Sequence, residues 1–138
     1  MELELMEEKI RYYDVVFNSA ERCEQTMEAI VPDALPDIGR IIDAEGTVLI
    51  RDKEVADGSA RVEGIVAVTV IYAPEPEDAA KKLSLNIPFT CNFTSRGITA
   101  ESALCVSCAP TLVEARALNP RKVLCRINVV CSGTAYSP

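Results

Sequence analysis

Between Arg61 and Tyr72 apolar and polar residues alternate with a period of two, the pattern of a strand with one face against a core. Val62, Gly64, Val66, Val68, Val70 and Tyr72 share one face. The other reads Arg61, Glu63, Ile65, Ala67, Thr69 and Ile71, turning from charged to apolar halfway along. The second half of the strand is therefore expected to be covered on both sides, by the domain itself or by a neighbouring subunit. Ile65, Ala67 and Ile71 are the candidate assembly face. Upstream, Asp57-Gly58 separates this strand from an extended run over residues 47–55 and predicts a hairpin, because Gly and Asp tolerate the positive φ of tight primed turns.

A second hairpin is expected where residues 102–117 and 122–136 flank Asn119-Pro120-Arg121, with Pro supplying the φ that opens a type I turn. On its last strand Val123, Cys125, Ile127, Val129 and Cys131 fall on one face and Arg126 and Asn128 on the other, as in a half-buried antiparallel strand. Residues 83–94 read as a strand kinked or edge-placed by Pro88, which cannot donate a ladder hydrogen bond. Residues 25–31 form a further strand ending at Pro32. Next, Ile38, Ile41 and Ile42 follow i, i+3, i+4 spacing behind Pro36, which a first helical turn tolerates, so one short helix near residues 36–43, or a pair of turns, is expected. In residues 2–17, Met6, Ile10 and Tyr13 suit a helix, but the richness in strand formers from Ile10 onward favours a strand. Several strands with little helix indicate an all-β fold with minor α: an antiparallel β-sandwich of Greek-key type, one domain over residues 1–138.

Charge and composition then narrow the function. A net charge of −7 and seven aromatic residues without Trp argue against nucleic-acid binding. No apolar run approaches the roughly 20 residues that cross a bilayer, so membrane insertion is not expected. The start, Met1-Glu-Leu-Glu-Leu, is acidic where a signal peptide is basic, so synthesis in the cytoplasm without such a peptide is expected. There is no His, hence no ordinary Ser-His or Cys-His pair. No phosphate-binding loop appears, and neither catalysis nor a cofactor is expected.

The six cysteines, Cys23, Cys91, Cys105, Cys108, Cys125 and Cys131, are the most distinctive chemical feature. A zinc site could draw on Cys105, Cys108, Cys125 and Cys131, but Cys105 and Cys108 differ in parity on a strand and should point to opposite faces. Cys125 and Cys131 alternate with Val and Ile and read as small buried hydrophobes. Disulfides within or between subunits form the third reading, with Cys23, Cys91 and Cys108 as candidate intermolecular cross-linkers. The doubled Pro-Asp of Pro32, Asp33, Pro36 and Asp37 could suggest a cation site or an acid/base pair. No partner base or nucleophile accompanies it, and Asp37 as a cap for the backbone amides of the following turn is the simpler reading. Glu75, Glu77 and Asp78 form a solvated acidic loop.

The stretch from Ile30 to Ile42, with its doubled Pro-Asp before Ile-x-x-Ile, resembles the signature of SPOCS domains, found in endospore-envelope proteins of spore-forming bacteria. The opening Met-Glu-Leu-Glu-Leu, Gly46-Thr-Val, the Val62-Glu-Gly-Ile-Val strand and its Ile71-Tyr72 end are similar to that family in type and spacing. After Thr94 the likeness lies in pattern more than in residues. The resemblance implies a role in assembling the spore coat or related envelope layers, where such domains often occur in tandem before a peptidoglycan-binding LysM module. This sequence holds one copy and no LysM segment, so a wall-binding role is not carried over. The expected function is a structural, self-associating protein of the endospore envelope (coat, exosporium or surface appendage). Its partners would be itself and other envelope proteins, with a final place at the spore surface. The competing expectation is an adaptor module binding protein, peptidoglycan or glycan.

Overall fold

The computed structural model describes residues 14–137. Each strand expected in that span is present, most of them longer than the alternation indicates. β1 is Asp14–Ile30, β2 Asp37–Ala56, β3 Ser59–Glu75, β4 Lys81–Thr94, β5 Ala103–Asn119 and β6 Lys122–Ser137. They form two antiparallel three-stranded sheets, ordered β1-β6-β5 and β2-β3-β4. The expected strand start at Ile10 lies outside the described residues.

β3, β4 and β6 carry the strongest alternation because none of them holds a bulge and each is covered on one face. Val62, Val66, Val68, Val70 and Tyr72 of β3 are buried, as are Val123, Cys125, Ile127, Val129 and Cys131 of β6. With Leu83, Leu85, Ile87, Phe89, Cys91 and Phe93 of β4 they make one core shared by both sheets. β1 lies against β4 and β2 against β5. Phe17 meets Phe93 edge-on at 5.5 Å between ring centroids, and the Lys53 amine donates to the Leu104 carbonyl at 3.1 Å. Pro88 sits on β4, an edge strand, as its missing N–H requires.

The Asp57-Gly58 hairpin forms between β2 and β3, with Ala56 opposite Ser59. Gly58 carries φ of 82°, whereas no described non-glycine residue has a positive φ. Asp57 therefore does not share the left-handed conformation of a type I′ turn; positive φ at the second corner alone is the type II pattern.

The short helix expected near residues 36–43 is corrected: residues 33–35 form turns and bends, and Asp37 begins β2. The cause is a pair of β-bulges, at Ile38/Arg40 and Ile41/Asp43. Each inserts one residue, so Ile38, Ile41 and Ala44, opposite the inward Pro74, Tyr72 and Val70, are three apart rather than two. That spacing imitates a helix.

Gly64 makes the tightest demand on β3. A Cβ there would lie 2.5 Å from the Leu49 carbonyl oxygen and 2.8 Å from the Phe89 ring. Backbone cannot yield as a flexible side chain can, so Gly64→Ala is expected to lower stability by about 2–3 kcal/mol, in the range of core overpacking. Urea unfolding checks this; an unchanged midpoint would show that β2 is free to move away.

Candidate functional site

The Pro-Asp segment joins β1 to β2 and is held from the far end of the chain. Arg121, in the β5–β6 turn, donates through Nη1 to the Leu35 carbonyl at 2.7 Å and to Asp37 Oδ1 at 3.2 Å. Its Nη2 donates to the carbonyls of Val31 at 3.0 Å and Pro32 at 2.9 Å. The planar guanidinium thus satisfies three backbone acceptors at once, of which the Pro32 carbonyl also accepts from the Leu35 N–H at 2.9 Å. Two backbone bonds accompany it: Val31 N–H to the Arg121 carbonyl and Ile38 N–H to the Pro120 carbonyl. From β3, the buried Tyr72 hydroxyl donates to the Pro36 carbonyl at 2.8 Å. Burial raises the Tyr72 pKa, Arg121 offsets part of that rise, and Asp37 adds to it.

This corrects the reading of Asp37 as a cap. No helical turn follows it, and its carboxylate pairs with Arg121. Asp33 and Asp37 do not face one another across a cleft; Asp33 is exposed on the turn. The arrangement fixes a crossover between the sheets. Arg121 is the residue that sequence reasoning missed, since a lone Arg in a hairpin turn carries no sign of partners more than 80 positions away.

The cysteines divide by position. Cys23 of β1 and Cys91 of β4 are joined in a disulfide with Cα atoms 6.2 Å apart, linking one sheet to the other within the chain. Neither is therefore available as an intermolecular cross-linker while that bond stands. Cys108 of β5 pairs with Cys131 of β6 in register, and their sulfurs lie 2.6 Å apart. Burial raises the pKa of Cys108, partly offset by its hydrogen bond to Cys131; Cys131 is raised by burial and then by Cys108. Cys125 is buried and its thiol is pushed up to about 11. Cys105 is exposed while Cys108 packs inward, so these two diverge as their parity requires. Among the described residues no group of three or more Cys, Asp or Glu side chains converges as metal ligands would.

Ile65, Ala67 and Ile71 are half-buried on the outer face of β3, outside the core and not packed against it. Among the described residues neither β4 nor a helix lies over them; β4 pairs beside them. Ile65 is flanked by Leu49 and Pro88, making an apolar row across all three strands. Ala67 is flanked by Thr47 and Asn86, and Ile71 by Asp43 and Lys82. Leu49 is 49% exposed and Ile42, at the second bulge, 48%. The other sheet's outer face is different in kind. There Arg126 bridges Glu114 at 2.6 Å and Glu24 at 4.0 Å, and Lys122 meets Glu28. The β2-β3-β4 face also has ion pairs, from Arg61 to Glu54 and Glu63, but only at one end; beyond them its aliphatic side chains are uncovered among the described residues.

Three comparisons with known proteins bear on this arrangement. A family model described as "SipL, SPOCS domain" matches residues 37–117, from the first residue of β2 to within two residues of the end of β5. No curated protein and no solved structure matches the chain.

Proposed function

Since this chain belongs to the SPOCS domain family, we propose that it is a structural, self-associating protein of the bacterial endospore envelope, a subunit of coat, exosporium or surface appendage. The observation that carries this reading is the outer face of β2-β3-β4, where Leu49, Ile65 and Pro88 make an apolar row that nothing among the described residues covers. Such a face is offered to another molecule, and a second copy would present the same row. We take the two sheets as one sandwich-like domain with Greek-key-like crossovers, β1 to β2 and β4 to β5. A chain of this kind acts by packing rather than by turnover, with itself and other envelope proteins as partners at the spore surface.

Because Cys23 and Cys91 are spent on each other, this association rests on the face and not on those thiols. Light scattering at tens of micromolar should give a mass well above one chain, in oxidising and reducing buffer alike. Leu49→Glu places a charge on an exposed side chain of the row; it should return the protein to a single chain while its far-UV spectrum stays unchanged. A wild type that is monomeric in both buffers would refute self-assembly and leave the adaptor reading, in which the same face takes a different protein.

A further inference from the structure

We propose that Cys108 and Cys131 are a second, oxidisable pair that closes into a cross-strand disulfide between β5 and β6, independently of the association proposed above. The two residues face each other directly in the antiparallel ladder. Directly opposed residues have Cα atoms about 4.5–5.5 Å apart, inside the roughly 4.4–6.8 Å that a disulfide spans. Their side chains lie on the same face, and the sulfurs are 2.6 Å apart. Closure therefore needs little movement of the backbone. No other free cysteine is so placed: Cys105 turns outward, and Cys125 stands opposite Ala115 and Met27.

The two thiols differ in access, which sets the order of events. β5 is an edge strand and leaves Cys108 partly exposed, whereas Cys131 is fully buried. The oxidant is a low-molecular-weight disulfide. The Cys108 thiolate attacks one of its sulfurs, forming a mixed disulfide and expelling one small thiolate, which takes up the proton that Cys108 lost. The Cys131 thiolate then attacks Cys108 Sγ and expels the second small thiol. Two protein thiols are oxidised, and one small disulfide is reduced to two thiols. Because burial raises both thiols, the exchange is slow at neutral pH and accelerates as pH rises. The product fastens edge strand β5 to the centre of its sheet, as Cys23–Cys91 fastens β1 to β4.

The test is to reduce the folded chain with dithiothreitol, desalt it, expose it to oxidised glutathione at mildly alkaline pH, alkylate it in denaturant and digest it with trypsin without reduction. Peptides 97–116 and 127–138 are expected to appear linked, with fragmentation placing the bond between Cys108 and Cys131, and with Cys105 and Cys125 alkylated. In Cys131→Val the linked pair should vanish and Cys108 should instead retain one glutathione, the trapped first step. In the wild type, alkylation of both Cys108 and Cys131, or a bond from Cys108 to any other cysteine, overturns the proposal.

Discussion

Removing the disulfide between Cys23 and Cys91 is expected to lower the unfolding free energy by about 4 kcal/mol, the largest effect of any change considered for this protein. The bond closes a loop across a sequence separation of 68 residues, so in the unfolded chain it forbids most separations of the two halves. It also acts where the ladders do not, because β1 and β4 belong to different sheets. The double variant Cys23→Ala/Cys91→Ala should keep the native far-UV spectrum and lose midpoint in urea. Cys91 is buried, so truncating it also leaves a small cavity. Wild-type protein unfolded in reductant separates the two terms, since it loses the bond and keeps the sulfur. Its midpoint should fall most of the way to that of the variant. If reductant leaves the midpoint where it was, the bond contributes nothing to stability.

The legibility of this molecule in its sequence tracked whether each strand kept its register without a bulge. On β3 every second residue is buried without a break from Ala60 to Pro74, and the period-two pattern named its inward face correctly. β6 behaved likewise. β2 did not, because three bulges shift its register and each shift breaks the parity on which the reading depends. The first two turned Ile38 and Ile41 into a helical spacing, and Pro36 completed the imitation. A bulge has no composition signal comparable to Asp57-Gly58, so the error was intrinsic to reading periodicity locally. The cysteines failed for another reason. Parity showed correctly that Cys105 and Cys108 diverge, but the pairing of Cys23 with Cys91 depends on which edges of two separate sheets come together, and no local pattern encodes that. The outer face was half legible. The change from Arg61 and Glu63 to Ile65 was plain, whereas the contribution of Leu49 and Pro88 required the register.

Arg121→Ala is expected to cost about 2–3 kcal/mol, more than its position on a half-exposed turn would suggest. The guanidinium donates to three backbone carbonyls and one carboxylate. Its loss leaves the Val31 and Leu35 acceptors without that donor in a partly buried site, although water can reach some of them and keeps the cost well below a sum of four bonds. The ion pair with Asp37 is a minor part, because both side chains are substantially exposed, at 36% and 52%, and such pairs contribute roughly 0–1 kcal/mol. The order of three variants therefore tests what holds the crossover between the sheets. Arg121→Lys keeps the charge but lacks the fork that spans several carbonyls at once, and should recover only part of the loss. Asp37→Ala removes the carboxylate alone and should cost under about 1 kcal/mol. Measured by urea unfolding, Arg121→Ala should fall furthest, Arg121→Lys less far, and Asp37→Ala least. If Asp37→Ala proves as damaging as Arg121→Ala, the charge pair and not the carbonyl clamp secures the segment between β1 and β2, and the doubled Pro-Asp acts through its acids after all.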